Sequence, residues 1–63
     1  MGITVTLMVE MNDEEAWQFA QFLKRVSYYD YRDLSTTDGE ARTMVEAGEL
    51  VRRALSEAGY ALR

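Results

Sequence analysis

The sequence predicts an α+β fold, in which one N-terminal β-strand precedes an antiparallel hairpin of two helices. Three observations predict it. Apolar and polar residues alternate over residues 3–10, apolar residues recur at helical spacing over 13–26 and again over 41–58, and Asn12 and Thr37 are good N-caps. The chain has 63 residues, of which 48% are hydrophobic. That length supports one domain, residues 1–63, with a core of minimal size.

The predicted strand, residues 3–10, has one apolar face and one mostly polar face. The first carries Ile3, Val5, Leu7 and Val9, and the second carries Thr4, Thr6, Met8 and Glu10. We expect the apolar face to lie on the first helix. Because a lone strand leaves its backbone groups unpaired, it needs a mate. A short strand at residues 60–62 or a second copy of the chain would supply one.

The first helix is predicted to begin after Asn12, which forms a capping box with Glu15. Its apolar side consists of Ala16, Phe19, Ala20, Phe22, Leu23 and Val26. Trp17 falls outside this stripe. A tryptophan in that position is either covered by another part of the chain or available to a partner, and in so small a domain we expect it to be covered.

The second helix is predicted over residues 38–58, with Thr37 and Glu40 as its capping box. Small residues dominate its apolar side, so we expect Gly48 to lie against Phe19 or Phe22. Gly59 is expected to end the helix in the left-handed conformation, with Tyr60 folding back on Leu55.

Composition excludes several function classes. The chain has no cysteine and no histidine, which removes thiol chemistry, the usual general base and the commonest metal ligand. No phosphate-binding loop or nucleophile–base pair is present, so we expect neither an enzyme nor a cofactor or metal site. No apolar run is long enough to span a bilayer, and the N-terminal residues do not resemble a signal peptide. We therefore expect a cytoplasmic protein that binds no membrane.

The net charge of −4 argues against a phosphate-binding surface and favours an acidic face for a basic partner. Most acidic residues have a local role, in the first turn of a helix or beside an arginine at helical spacing. Glu10, Asp30 and Asp33 have none by sequence reasoning. The last two lie in residues 27–34, a predicted loop or short irregular helix with three tyrosines. Because aromatic rings beside charges suit a protein-binding hot spot, the predicted partner-binding residues are Glu10, Glu14, Trp17, Tyr28, Tyr29, Asp30, Tyr31 and Asp33.

Two resemblances suggest a function class. The order strand, helix, helix resembles a ribbon–helix–helix DNA-binding dimer, in which paired strands enter the major groove. However, no Lys or Arg precedes Lys24, and the connection between the helices is long for that family.

The segments AWQFAQFLKRV, YDYRDL and LVRRALSEAGYALR are similar to small phage- and plasmid-borne proteins, among which anti-CRISPR inhibitors recur. Proteins of that class are tiny, often acidic and without catalytic residues, and some mimic DNA. The resemblance implies an inhibitor that blocks the nucleic-acid-binding surface of a CRISPR-Cas effector subunit in a bacterial host cell, without binding nucleic acid itself. Whether the chain forms a homodimer stays open.

Overall fold

Three helices and no β-strand make up the computed structural model, which describes residues 2–61. The helices are α1 (Asp13–Arg25), α2 (Tyr28–Asp33) and α3 (Asp38–Glu57). The predicted α+β class is therefore wrong, because the described chain is helical. The residues of the expected strand have no regular secondary structure, and Ile3, Val5, Leu7 and Val9 are between 65% and 93% exposed.

The predicted strand fails for want of a mate. Tyr60 and Ala61, which were expected to pair with it, are not in a strand, and Leu62 lies outside the described residues. Alternation shows that a segment is suited to one side of a sheet. It does not show that the same chain supplies the neighbouring strand, and residues 2–61 supply none.

Helix α1 begins as predicted. The Glu15 amide donates to Asn12 Oδ1 at 2.8 Å, and the Asn12 amide donates to Glu15 Oε1 at 2.9 Å. Three acidic residues in the first turn and two basic residues in the last complement the helix dipole. The helix ends where Val26 adopts an extended backbone conformation.

Helix α2 is a regular six-residue helix within the segment that was predicted as a loop or an irregular helix. Ser27 is its N-cap, and the side chain of Asp30 accepts a hydrogen bond from the Ser27 amide in return. So short a helix is unstable alone, and it therefore depends on its cap and on tertiary contacts.

Helix α3 begins and ends with the predicted local motifs, with one difference. Thr37 Oγ1 accepts from the Glu40 amide at 3.0 Å, but the Glu40 carboxylate accepts from Thr36 instead of completing the box with Thr37. At the other end Gly59 has a φ of 104°, and the Tyr60 amide donates to the Leu55 carbonyl at 2.9 Å. The predicted left-handed glycine and the return of Tyr60 toward Leu55 are confirmed.

The core lies between α1 and α3, which run antiparallel. Its buried members are Ala16, Ala20 and Leu23 from α1 and Leu55 from α3, with Tyr60 packed against them. The two phenylalanines are not part of it, since Phe19 is 39% exposed and Phe22 is 53% exposed. At about 100° per residue, Ala16, Ala20 and Leu23 form the centre of the apolar stripe, and both phenylalanines lie on the same flank of it. Helix α3 covers the centre of the stripe and leaves that flank open.

Gly48 does not have the predicted neighbours. A Cβ at Gly48 would overlap the Tyr31 hydroxyl, and it would lie 3.3 Å from Tyr31 Cζ and 3.7 Å from Leu23 Cδ2. The close approach at this point is therefore between α3 and the tyrosine ring of α2, instead of between α3 and a phenylalanine of α1.

Candidate protein-binding surface

The three tyrosines of α2 have three different environments. Tyr31 points toward α3 and fills the space beside Gly48. Tyr28 donates a hydrogen bond from its hydroxyl to Asp38 Oδ1 at 3.2 Å. Tyr29 is 77% exposed, and its ring meets that of Tyr28 edge to face, with centroids 5.8 Å apart. Of the three, Tyr31 serves the fold, Tyr28 is tethered, and Tyr29 is the ring most open to a partner.

The two aspartates of α2 also differ. Asp30 accepts hydrogen bonds from the Ser27 amide at 2.8 Å and the Ser27 hydroxyl at 3.0 Å. These bonds lower the pKa of Asp30, and the hydrogen bond from the Ser27 amide has a larger effect than the one from the Ser27 hydroxyl. The prediction that Asp30 lacks a capping role is wrong. Asp33 is the last residue of the helix and is exposed, and its side chain makes no hydrogen bond or ion pair within residues 2–61.

An ion pair fixes α2 to the start of α3. Arg32 Nε donates to Asp38 Oδ1 at 2.6 Å, and Arg32 Nη1 donates to the Ser35 carbonyl at 3.0 Å. Since Tyr28 donates to the same Asp38 oxygen, the pKa of Asp38 is lowered, mainly by the Arg32 hydrogen bond and next by that of Tyr28. These bonds set the direction in which α2 presents its tyrosines.

Trp17 lies near the other end of the molecule. Its ring contacts Tyr60 edge to face, with centroids 4.9 Å apart, and it remains 38% exposed. Tyr60 Oη in turn donates to Asp13 Oδ1 at 2.7 Å, and this bond raises the pKa of Tyr60. The C-terminal part of the chain therefore covers one side of Trp17 at the N-terminal end of α1, but the ring stays exposed on the other side, so the expectation that Trp17 is covered is met only in part.

The eight predicted partner-binding residues thus fall into two groups. Tyr28, Tyr29, Asp30, Tyr31 and Asp33 lie on α2, beside the start of α3. Trp17 and Glu14 lie in the first turns of α1, and Glu10 precedes it. Glu10 and Glu14 are exposed, and their side chains make no hydrogen bond or ion pair in the described part of the chain. The eight residues therefore lie at two different places along the fold.

Sequence reasoning missed a groove between α1 and α2. Phe22 forms part of it, and so does Leu34, which is 84% exposed. Helical periodicity assigned Phe22 to the core, and Leu34 was not among the predicted partner-binding residues. One signal in the sequence could have shown that Phe22 is exposed. Phe22 and Ala20 lie about 160° apart around the helix, and a single facing helix does not cover so wide an arc. The groove is lined by Gln18, Gln21, Phe22, Arg25, Val26, Asp30, Tyr31 and Leu34.

The groove and the exposed end of α2 together form a surface that combines apolar side chains with a free carboxylate. We call it the α2 surface and define it by Tyr28, Tyr29, Asp33 and Leu34. Exposed aromatic and aliphatic side chains beside a charge are features of protein-binding hot spots. The arrangement is therefore suited to holding a protein partner.

Metal sites and membrane spans are two other features that a small domain can carry. Among residues 2–61 no group of three or more acidic side chains is placed to hold a metal ion. None of the helices described has the length and apolar character that crossing a membrane requires.

Comparison with known proteins gives one match. The profile of a protein family described as a family of unknown function (DUF7706) matches residues 1–63. No curated protein and no solved structure matches the chain.

Proposed function

We propose that this chain, which belongs to the DUF7706 family of unknown function, is a small acidic protein-binding module without catalytic activity. Its partner is a basic protein that handles nucleic acid, and binding covers the surface with which that protein holds its nucleic acid. The α2 surface is the contact site. The proposal rests on one observation above all, the exposure of Tyr29 and Leu34 beside the free carboxylate of Asp33.

The side chains of Tyr29, Asp33 and Leu34 in the α2 surface have no role in holding the fold. The core is formed by other residues, and α2 is held to α3 through Tyr28 and Arg32. Tyr29 and Leu34 therefore expose apolar area that the fold does not need, in a domain that has little such area to spare. When such side chains are hot spots of an interface, their removal typically costs about 2 kcal/mol or more of binding free energy. A loss of that size weakens affinity about thirtyfold.

Charge supports a basic partner. The net charge of −4 attracts a basic surface over distances of roughly one Debye length, about 8–10 Å at moderate salt. Such steering raises the association rate more than it slows dissociation. The finer proposal, a CRISPR-Cas effector subunit in the bacterial cytoplasm, draws its support from the resemblance of three segments to small phage- and plasmid-borne proteins.

A capture experiment with matched variants tests this function. The tagged chain is incubated with lysate of a bacterium that carries a CRISPR-Cas system, and the captured protein is identified, purified and titrated directly. We expect a basic nucleic-acid-binding protein whose DNA or RNA is displaced by the wild-type chain. Tyr29→Ser with Leu34→Ser should weaken binding by about thirtyfold or more.

Leu50→Ser is the matched control. Leu50 is also an exposed apolar residue, but it lies about 180° around α3 from Ala41, on the side away from the core. Its replacement should leave affinity unchanged. Equal losses for the control and the α2 variant, or a captured protein that keeps its nucleic acid in the complex, would contradict the proposal.

A strand-paired DNA-binding dimer is the second candidate function. The observation that favours it is the unpaired segment 2–11 directly before α1, the position of the ribbon in ribbon–helix–helix proteins. Two features oppose it. The first basic residue is Lys24, and residues 26–37, which include α2, separate the two long helices.

A further inference from the structure

The N-terminal segment, residues 2–11, is exposed and makes no internal hydrogen bonds. Neither its backbone nor its side chains form a hydrogen bond with any part of residues 2–61. Yet four of its side chains, Ile3, Val5, Leu7 and Val9, form the apolar half of a clean alternation. β-branched and aliphatic residues in that pattern are typical of a strand with one buried face. Exposed and unpaired, such a segment is a template for a further strand.

We propose that two copies of this chain pair through residues 3–9, as an antiparallel two-stranded ribbon. Pairing would give the backbone N–H and C=O groups of each segment their partners, because antiparallel strands exchange hydrogen bonds across a two-fold axis. It would also bring eight apolar side chains, four from each copy, onto one face. The two copies use the same surface patch, as in most homodimers.

A register centred on Thr6 pairs the apolar residues over the full length of the segment and keeps the two Glu10 side chains apart. In this register Val5 lies opposite Leu7 of the second copy, so apolar residues oppose apolar residues on one face. Glu10, the only charged residue among 2–11, lies opposite Gly2 of the second copy, away from the second Glu10. A register centred on Glu10 would place two carboxylates opposite one another, which is unfavourable.

The apolar flank of α1 is suited to cover the ribbon. Met11 follows the segment directly, and Phe19 and Phe22 stack with centroids 5.7 Å apart and ring planes 7° from parallel. Together with Glu15 and Gln18 these three residues line a shallow groove on α1. A two-stranded ribbon is marginal in water unless its apolar face packs on another element, and this flank is the adjacent unoccupied one.

The area available for burial is close to what a specific dimer needs. Four aliphatic side chains, Met11 and the two exposed phenylalanines from each copy would bury on the order of 1,000 Å² over both copies, taking roughly 60–120 Å² per side chain. That is near the lower limit for a specific interface. Residues 2–9 carry no charge, so the segment cannot form ion pairs with a different protein. In a second copy of the chain, by contrast, its apolar residues lie opposite apolar residues.

Sedimentation velocity with charge-pair variants tests the ribbon and its register. Wild type should sediment as a dimer whose population rises with concentration. Val5→Lys alone and Leu7→Glu alone should each weaken dimerisation by about tenfold or more, because each places a charge on the apolar face. An equimolar mixture of the two variants should dimerise again, since the introduced ammonium and carboxylate then lie opposite one another across the ribbon.

Thr4→Lys and Met8→Glu are the matched controls. They oppose one another in the same register but lie on the outer face, so each alone should dimerise within about twofold of wild type. All four positions lie outside the helices, and the helical circular dichroism of every variant should therefore equal that of wild type.

Three outcomes would overturn the proposal. They are a wild-type chain that stays monomeric at every concentration, dimers that tolerate Val5→Lys, and a mixture that fails to restore association. The inference does not depend on the proposed function, because homodimerisation is measured without any other protein. A chain that dimerises but captures no basic partner would contradict the proposed function alone.

Discussion

Gly48 leaves open the space that the Tyr31 ring occupies. A Cβ at this position would overlap the Tyr31 hydroxyl and crowd Cζ at 3.3 Å. Glycine inside a helix costs about 1 kcal/mol relative to alanine. Here its missing side chain lets the ring of α2 lie against α3, so the local loss is offset by a contact between elements.

Gly48→Leu should overpack this contact and lower the free energy of unfolding by about 1–3 kcal/mol, measured by urea denaturation. In a Tyr31→Ala background the same change should cost less, because the obstructing ring is gone. Ala47→Leu, at an exposed neighbouring position, should be nearly neutral. An unchanged or raised urea midpoint for Gly48→Leu would mean that Gly48 does not face Tyr31.

Helix α2 is the element whose stability depends most on individual charged side chains. Its six residues are too few to form a helix unaided. Asp30 caps its first turn, and Asp38 holds it through Arg32 and Tyr28. Replacement of Asp30 by lysine would therefore disturb the helix as well as the surface, so Asp33 is the aspartate whose charge can be changed without loss of a bond.

The lowered pKa values of Asp30 and Asp38 predict a loss of stability in acid. Since both are below the ordinary value of 3.8, the stabilisation is present above that pH and is lost as pH falls through the lower folded-state values. The melting temperature, measured at a series of pH values from 7 downward, should start to decrease once the pH is below about 4. Asp30→Asn with Asp38→Asn should melt lower at pH 7 and show a smaller further drop in acid.

Asp33→Asn is the control for this experiment. Asp33 lies on the same helix, but its side chain has no hydrogen bond or ion pair within residues 2–61. Its replacement should leave the melting temperature at pH 7 nearly unchanged. An acid profile of the double variant that parallels wild type would show that the two aspartates do not anchor α2.

At the scale of the whole molecule, the distribution of charge separates the two candidate functions. The net charge is −4, and the segment that would enter a DNA groove has no basic residue. Protein–DNA affinity comes largely from lysine and arginine contacts to phosphates. A dimer built through residues 3–9 would therefore present an uncharged ribbon to the duplex, with Glu10 at each end.

A gel-shift titration at low salt should consequently show no binding of duplex DNA by the chain alone. Low salt is the most permissive condition, because release of counterions favours binding most strongly there. The captured basic protein serves as the positive control, and its shift should disappear as the chain is added. A saturable shift with DNA alone, weakening steeply as salt rises, would favour the DNA-binding dimer instead.

Prediction from sequence succeeded where the deciding contacts are close in the chain. The capping box of Asn12 and Glu15, the N-cap Thr37 and the left-handed Gly59 were each identified correctly. It failed for Asp30, although its cap is equally local, because Ser27 was not recognised as the start of a helix. Within the candidate site, the exposed Tyr29 was found, whereas Leu34 and the groove beside Phe22 were not.

By itself the sequence determined where α1 and α3 begin and end, because hydrogen bonds between residues three to five apart set those limits. Only the tertiary structure decided which arc of α1 is buried. Periodicity marks a stripe, but the width that is covered depends on the one helix that packs there, and α3 reaches Ala16, Ala20 and Leu23 without reaching Phe22. The same reason applies to the N-terminal segment. Its alternation fits it for a sheet, whereas a mate must come from residues far away or from another chain, and no local pattern carries that information.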